Sequence, residues 1–246
     1  MRAPGKIIII GASSGLGAES ARIFARLGWK TGIIARREAP LKELMVQFPE
    51  NIIYMTADIT SATFPSELTS FINTLGGADI IFLTAGTGWS NPALDLEKDI
   101  LTVKTDVEGF VRVADTAYNW FRKHNPSGQF AAISSVAGTK GIGISASYSA
   151  SKSFNSTYME ALSQLATIDN LSLTITDIKP GFVRTDLLDP SRNYPLLMHP
   201  EKAARQIVRA ILRRKNVVIV NRKWKIVVWL WKLIPGVIWR KLKINL

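Results

Sequence analysis

The apolar run Ile7 to Ile10 breaks directly into Gly11-Ala12-Ser13-Ser14-Gly15-Leu16-Gly17. A strand without polar alternation is buried on both faces, as in parallel sheets covered by helices. The glycines after it permit a tight turn and a close backbone approach. Leu16, Ala21, Phe24, Ala25 and Leu27 then recur at helical spacing, and Gly28 stands where a C-cap belongs. Strand, glycine-rich turn and helix form the first half of a dinucleotide-binding unit, with a pyrophosphate at the positive end of the helix. Alone the glycine pattern is weak, because any tight strand-to-helix turn has similar needs.

The alternation continues, and that gives the pattern its force. Further strands are expected over residues 31–35, 51–56, 79–83, 129–134, 171–178 and 217–220. Helices are expected over 38–48, 61–75, most of 95–124, 148–166 and 200–214. The sequence therefore predicts an α/β fold: a Rossmann-type doubly wound, mainly parallel seven-stranded sheet with helices on both faces. Residues 1–220 would form this domain and 221–246 a basic, Trp-rich tail.

The chain has 246 residues, no cysteine and two histidines, His124 and His199. Disulfides, thiolate-bound zinc and cysteine nucleophiles are excluded, and no metal site is expected. Met1 to Lys6 leads straight into a core strand, leaving no room for a signal peptide, so a cytoplasmic protein is expected. The net charge of +12 is unevenly placed: residues 213–246 hold ten Lys/Arg and no acid, against 21 bases and 19 acids in the remainder. Such asymmetry points to an anionic partner surface.

The chemistry concentrates in Ser134-Ser135-Val136-Ala137-Gly138 and in Tyr148-Ser149-Ala150-Ser151-Lys152. If Tyr148 opens a helix, Lys152 lies one turn on along the same face. A phenol of pKa about 10 is a poor acid-base group at neutral pH. A neighbouring ammonium pulls it toward the working range. A serine at the end of the preceding strand could hydrogen-bond a substrate oxygen beside the phenol, with Ser135 and its neighbour Ser134 both candidates.

Together with the glycine-rich turn, this set resembles the short-chain dehydrogenase/reductase family over roughly residues 6–185. The resemblance implies Tyr148 as general acid/base, Lys152 as its tuner and nicotinamide-ribose ligand, and Ser135, favoured by its spacing to Tyr148, as orienter of the substrate. It implies cofactor contacts at Gly11, Ser13, Ser14, Gly15, Leu16 and Gly17, and at Asp58 and Ile59 around the adenine. Ala85 and Gly86 match a small-residue loop in which Thr84 replaces the family's Asn. Pro180, Gly181, Val183 and Thr185 match a segment that contacts the carboxamide. Asp106 stands where the family has an Asn of the proton relay. A carboxylate there should hold Lys152 charged yet oppose the phenolate, so an altered pH dependence is expected.

Arg36 and Arg37 end the second expected strand, and Ala35 stands where NAD users of the family commonly carry Asp. A guanidinium prefers a ribose 2′-phosphate, so NADP(H) is favoured over NAD(H); solvated arginines at a strand end are the plainer alternative. Leu187, Leu188, Tyr194, Leu196, Leu197 and Met198 should form a lid over a small, lipophilic carbonyl or alcohol substrate. Small residues along 148–166 suit a homodimer or homotetramer. The tail, with Trp224, Trp229, Trp231 and Trp239 among aliphatics and bases, reads as a helix on the inner face of an anionic membrane, attached peripherally. Packing on the body and a dimer contact stay open, and nucleic acid is not expected. The rival functional reading is a non-catalytic nucleotide sensor or scaffold working through that tail.

Overall fold

Strand β1 (Lys6–Ile10) sends Ile7 and Ile9 into one core and Ile8 and Ile10 into the other, as the two-residue period of a strand requires. The computed structural model describes residues 3–244, so expectations resting on Met1, Arg2, Asn245 and Leu246 lie outside the described residues. Around β1 are β2 (Lys30–Ala35), β3 (Ile52–Thr56), β4 (Ile80–Leu83), β5 (Gln129–Ile133), β6 (Thr174–Lys179) and β7 (Val217–Ile219). They form one sheet in the order β3-β2-β1-β4-β5-β6-β7, with every neighbouring pair parallel.

On one face α1 (Gly15–Arg26), α2 (Glu38–Gln47) and α7 (Pro200–Leu212) bury Phe24, Leu41, Leu44, Ile207 and Ile211. On the other, α3 (Phe64–Thr74), α5 (Phe110–His124) and α6 (Ala146–Ile168) bury Phe64, Phe71, Val113, Met159 and Leu162. The chain leaves β1 for β2 on one side and returns to β4 on the other. The crevice beyond the carboxyl ends of β1 and β4 is therefore the topological switch point, where such sheets bind ligands.

The departures from expectation have local causes. Tyr148 does not open its helix; α6 begins two residues earlier, at Ala146. Strand β6 starts at Thr174, later than expected, because Asn170 (φ 55°) and Leu171 still close α6, the Leu171 amide donating to the Ala166 carbonyl at 2.8 Å. The helical stretch expected over 95–124 is α4 (Leu96–Val103) and α5 joined by a π-helical turn, Lys104–Gly109.

The tail is helical as α8 (Arg222–Leu233) and a single turn, α9 (Gly236–Trp239). It is not a free appendage. Trp224, Val228 and Trp231 are buried against Val136, with Phe182 and Ile219 packed around them. Among the described residues no helix is long and apolar enough to cross a membrane.

Candidate active site

The glycine-rich turn closes β1 onto β4. Gly11 has φ 98°, and a Cβ there would stand 2.4 Å from the Ala85 amide nitrogen. A Cβ on Gly17 would stand 2.3 Å from the Gly11 carbonyl oxygen. Thr84, in place of the family's Asn, donates from its hydroxyl to the Ile10 and Gly11 carbonyls at 2.9 and 3.0 Å, so it ties the two strand ends together. Helix α1 has no side-chain bond from its N-cap Ser14 and no acid in its first turn, which leaves its leading N–H groups for an anion.

At one end of this crevice Arg37 donates to the hydroxyls of Ser13 and Ser14 at 3.2 and 3.1 Å. Arg36 lies 3.9 Å from Asp58, whose other oxygen accepts from the Thr60 amide and hydroxyl, both at 2.9 Å. Ile59 is buried against Gly109, and Ala35 is buried at the end of β2. The residues expected around the adenosine end are thus brought together. At the other end Thr185 comes over the start of α1, its Cγ2 3.0 Å from where a Cβ on Gly15 would be.

The π turn presents Asp106 to α6. Lys152 Nζ lies 2.8 Å from Asp106 Oδ2, and the Thr87 amide donates to Oδ1 at 2.7 Å. Both side chains are buried, at 4% and 0% exposure. A Cβ on Gly86 would meet Lys152 Nζ at 2.9 Å, and one on Gly88 would meet the Tyr148 ring at 2.2 Å, so the loop after β4 can lie against this pair only as glycine. Lys152 Nζ stands 5.6 Å from the Tyr148 ring centroid. Asn155, with its amide nitrogen turned inward, donates to the Asp106 carbonyl at 2.7 Å. Asn155 was not singled out from sequence; its one signal is its place three residues after Lys152 on the same helix face.

Burial raises the Tyr148 phenol above its usual range, and the Asp106 carboxylate adds to this; the Lys152 ammonium and the Ser135 hydroxyl work against them. Burial also raises the Asp106 carboxyl, opposed by Lys152 and the Thr87 amide. For Lys152, burial opposes the charge, but Asp106 and Tyr148 outweigh it and its pKa sits above the usual lysine value. The balance for the phenol is upward, in favour of its protonated form. The two candidate serines separate cleanly. Both line the cavity, but the Ser134 hydroxyl is bonded to Asp177, which also pairs with Lys179 at 2.5 Å, whereas the Ser135 hydroxyl faces the Tyr148 phenol.

That cavity is walled by Phe182, Leu187, Leu188, Tyr194, Trp224 and Trp231, with Pro180, Gly181, Val183 and Thr185 along one edge. Half of the expected lid therefore lines it. The other half does not: Met198 is buried in the α1/α7 core, Leu196 packs on the tryptophan cluster, and Leu197 is partly exposed. Met198 pairs with Val183 in an isolated parallel bridge, and its side chain joins that core. Trp224 and Trp231 were read from sequence as part of a membrane-seeking tail, yet they are pocket wall. A Cβ on Gly181 would lie 2.0 Å from the Trp224 indole nitrogen, so that glycine is also what lets α8 seat.

An open parallel sheet with its glycine turn at the switch point and a Ser-Tyr-Lys set beside it is the architecture of a nicotinamide-dependent dehydrogenase. Residues 5–195 match the family model for short chain dehydrogenases, and the chain belongs to that family as an oxidoreductase of its type. It is 28% identical over 251 residues to an uncharacterized oxidoreductase of Mycobacterium tuberculosis, covering 95% of this chain and 92% of that one. It is 26% identical over 257 residues to dehydrogenase/reductase SDR family member 7B of Xenopus tropicalis, covering 94% of this chain and 82% of the relative. The fold matches that of an alcohol dehydrogenase from the archaeon Thermococcus sibiricus complexed with 5-hydroxy-NADP. The TM-score is 0.76 at 19% identity, over 88% of this chain and 95% of that one.

Proposed function

We propose that this chain is an NADPH-dependent reductase of a lipophilic ketone or aldehyde, with Tyr148 as the proton donor. The observation that carries the reading is geometric: the Tyr148 phenol lines a mainly apolar cavity together with Ser135, and the buried Lys152–Asp106 pair lies next to it. Ser135 holds the substrate oxygen, Tyr148 gives it a proton, and Lys152 stabilises the phenolate that remains. When bound, the reduced nicotinamide supplies a hydride to the carbonyl carbon. NADPH oxidation measured over a panel of apolar ketones tests the activity, and a silent panel would return the chain to the sensor or scaffold reading.

The residues fit that cofactor. The turn has glycines where a Cβ would fill the cradle, α1 begins uncapped, and two guanidiniums stand at the adenosine end. Charge-assisted bonds to a 2′-phosphate are worth about 1.5–3 kcal/mol each. NADPH should therefore bind at least roughly tenfold more tightly than NADH, and Arg36→Ala should weaken NADPH by roughly ten- to a hundredfold while leaving NADH unchanged. Equal affinities by fluorescence titration would overturn the preference.

Assembly and location belong to the same reading. Ile100, Leu101 and Val103 on α4 and Phe154 and Leu165 on α6 form an exposed apolar set that we assign to a homodimer or homotetramer contact. Sedimentation velocity should show an oligomer that Ile100→Glu converts to monomer. The basic C-terminal segment is read as placing the enzyme at an anionic membrane surface on its cytoplasmic side.

A further inference from the structure

Helix α8 carries two apolar stripes on opposite faces. Trp224, Val228 and Trp231, at i, i+4 and i+7, are 3–9% exposed and face the body. Ile226, Trp229, Leu230 and Leu233, at i, i+3, i+4 and i+7, are 52–62% exposed. With about 3.6 residues per turn the midpoints of the two stripes lie half a turn apart. A surface helix needs one apolar face to join its domain; the second has nothing to bury it. Val237 and Ile238 of α9 extend the exposed set. Around it stand seven exposed bases, Arg222, Lys223, Lys225, Lys232, Arg240, Lys241 and Lys243, with no acid in this segment.

That pairing selects the occupant. A second copy seated on the stripe would bring its own seven bases against these seven, and like charges disfavour such a contact. An anionic bilayer offers both requirements at once, negative charge at the surface and a headgroup zone that takes tryptophan and aliphatic side chains.

Helix α8 and the residues that follow it are tied to the loop after Ser135. Trp231 donates from its indole to the Thr139 hydroxyl at 2.9 Å, and Trp239 donates to the Gly141 carbonyl at 2.7 Å. Lys140 donates to the Ile234 carbonyl at 3.0 Å and lies 5.4 Å from the Trp239 ring centroid. The loop so held runs from Ser135 to Tyr148 and contributes Ile142 and Ile144 to the cavity. One helix, about 10 Å across, thus separates the exposed stripe from the pocket wall.

We propose that α8 couples docking on an anionic bilayer to the substrate cavity: its outer stripe seats among the headgroups, its inner stripe and tethers order the 135–148 loop, and the carbonyl substrate is an amphiphile taken from the leaflet. The substrate half rests on the reductase reading; the docking half does not. The test uses the full chain with vesicles of phosphatidylcholine, alone or mixed with phosphatidylglycerol. Wild type should sediment with the mixed vesicles only, and release with salt. Trp229→Gln with Leu233→Gln, both at exposed positions, should keep the melting temperature and bind at least roughly tenfold more weakly.

Hydrogen exchange reports the coupling without any catalysis. The amides of residues 136–145 should slow severalfold when wild type meets mixed vesicles, and should be unchanged in the double variant. Docking is overturned by wild type that stays in the supernatant, by a variant that binds equally, or by a solution dimer that the variant dissociates. The coupling is overturned if wild type binds and exchange in 136–145 does not change. Binding and protection without NADPH-dependent reduction of a vesicle-dispersed long-chain ketone would overturn the leaflet-substrate half and leave docking in place. Absence of turnover with short soluble ketones as well would place that failure in the reductase reading.

Discussion

Tyr148→Phe should lower the reduction rate by roughly 10²–10⁴-fold, the usual worth of a positioned proton donor. The ring stays, so its packing beside Gly88 is preserved, and the substitution removes a single oxygen from a mainly apolar wall. Cofactor affinity should change little, because the glycine turn, α1 and the two arginines are untouched. Lys152→Ala differs: it strips Asp106 of its partner and also removes the ammonium that supports the phenolate. Single-turnover rates and cofactor titrations on both variants separate the two effects. A Tyr148→Phe protein that reduces ketones at the wild-type rate would mean the proton comes from another group, with Ser135 the first to suspect.

The sheet was legible because its central strands β1 and β4 are short, apolar and punctuated, so burial on both faces could be read residue by residue, and the others fell into place by alternation with helices. The turn after β1 was legible for a similar reason: its glycines answer to backbone approach, which a local pattern records. What the sequence left hidden depends on contacts between distant segments. Nothing local to Trp224 shows that it will press on Gly181, and the apolar residues of α8 gave no sign that they divide between a buried and an exposed face. Met198 has the composition of a lid residue and is core, paired with Val183 in the same cluster. The π turn was equally hidden, and within it Asp106 meets Lys152 some forty-six positions later.

That meeting carries the second large expectation. Asp106→Ala leaves the Lys152 ammonium buried with no carboxylate, and breaking a buried pair in this way costs about 3–5 kcal/mol. Lys152 is 4% exposed, with the glycine loop against it at Gly86. It can shed the charge instead, by losing its proton, and then ceases to support the phenolate. A clear drop in melting temperature and a large loss of activity should come together. Asp106→Asn separates stability from charge. Its side-chain oxygen can still accept from Lys152 or from the Thr87 amide, so the fold should suffer less. Because the Asp106 carboxylate raises the Tyr148 phenol, removing its charge lowers that pKa. In reduction the phenol must be protonated, so the alkaline fall in rate should begin at lower pH. In oxidation the phenolate is the base, so the rise should also come at lower pH. A melting temperature that drops while both limbs stay in place would make Asp106 a support for Lys152 alone, with no electrostatic hold on Tyr148.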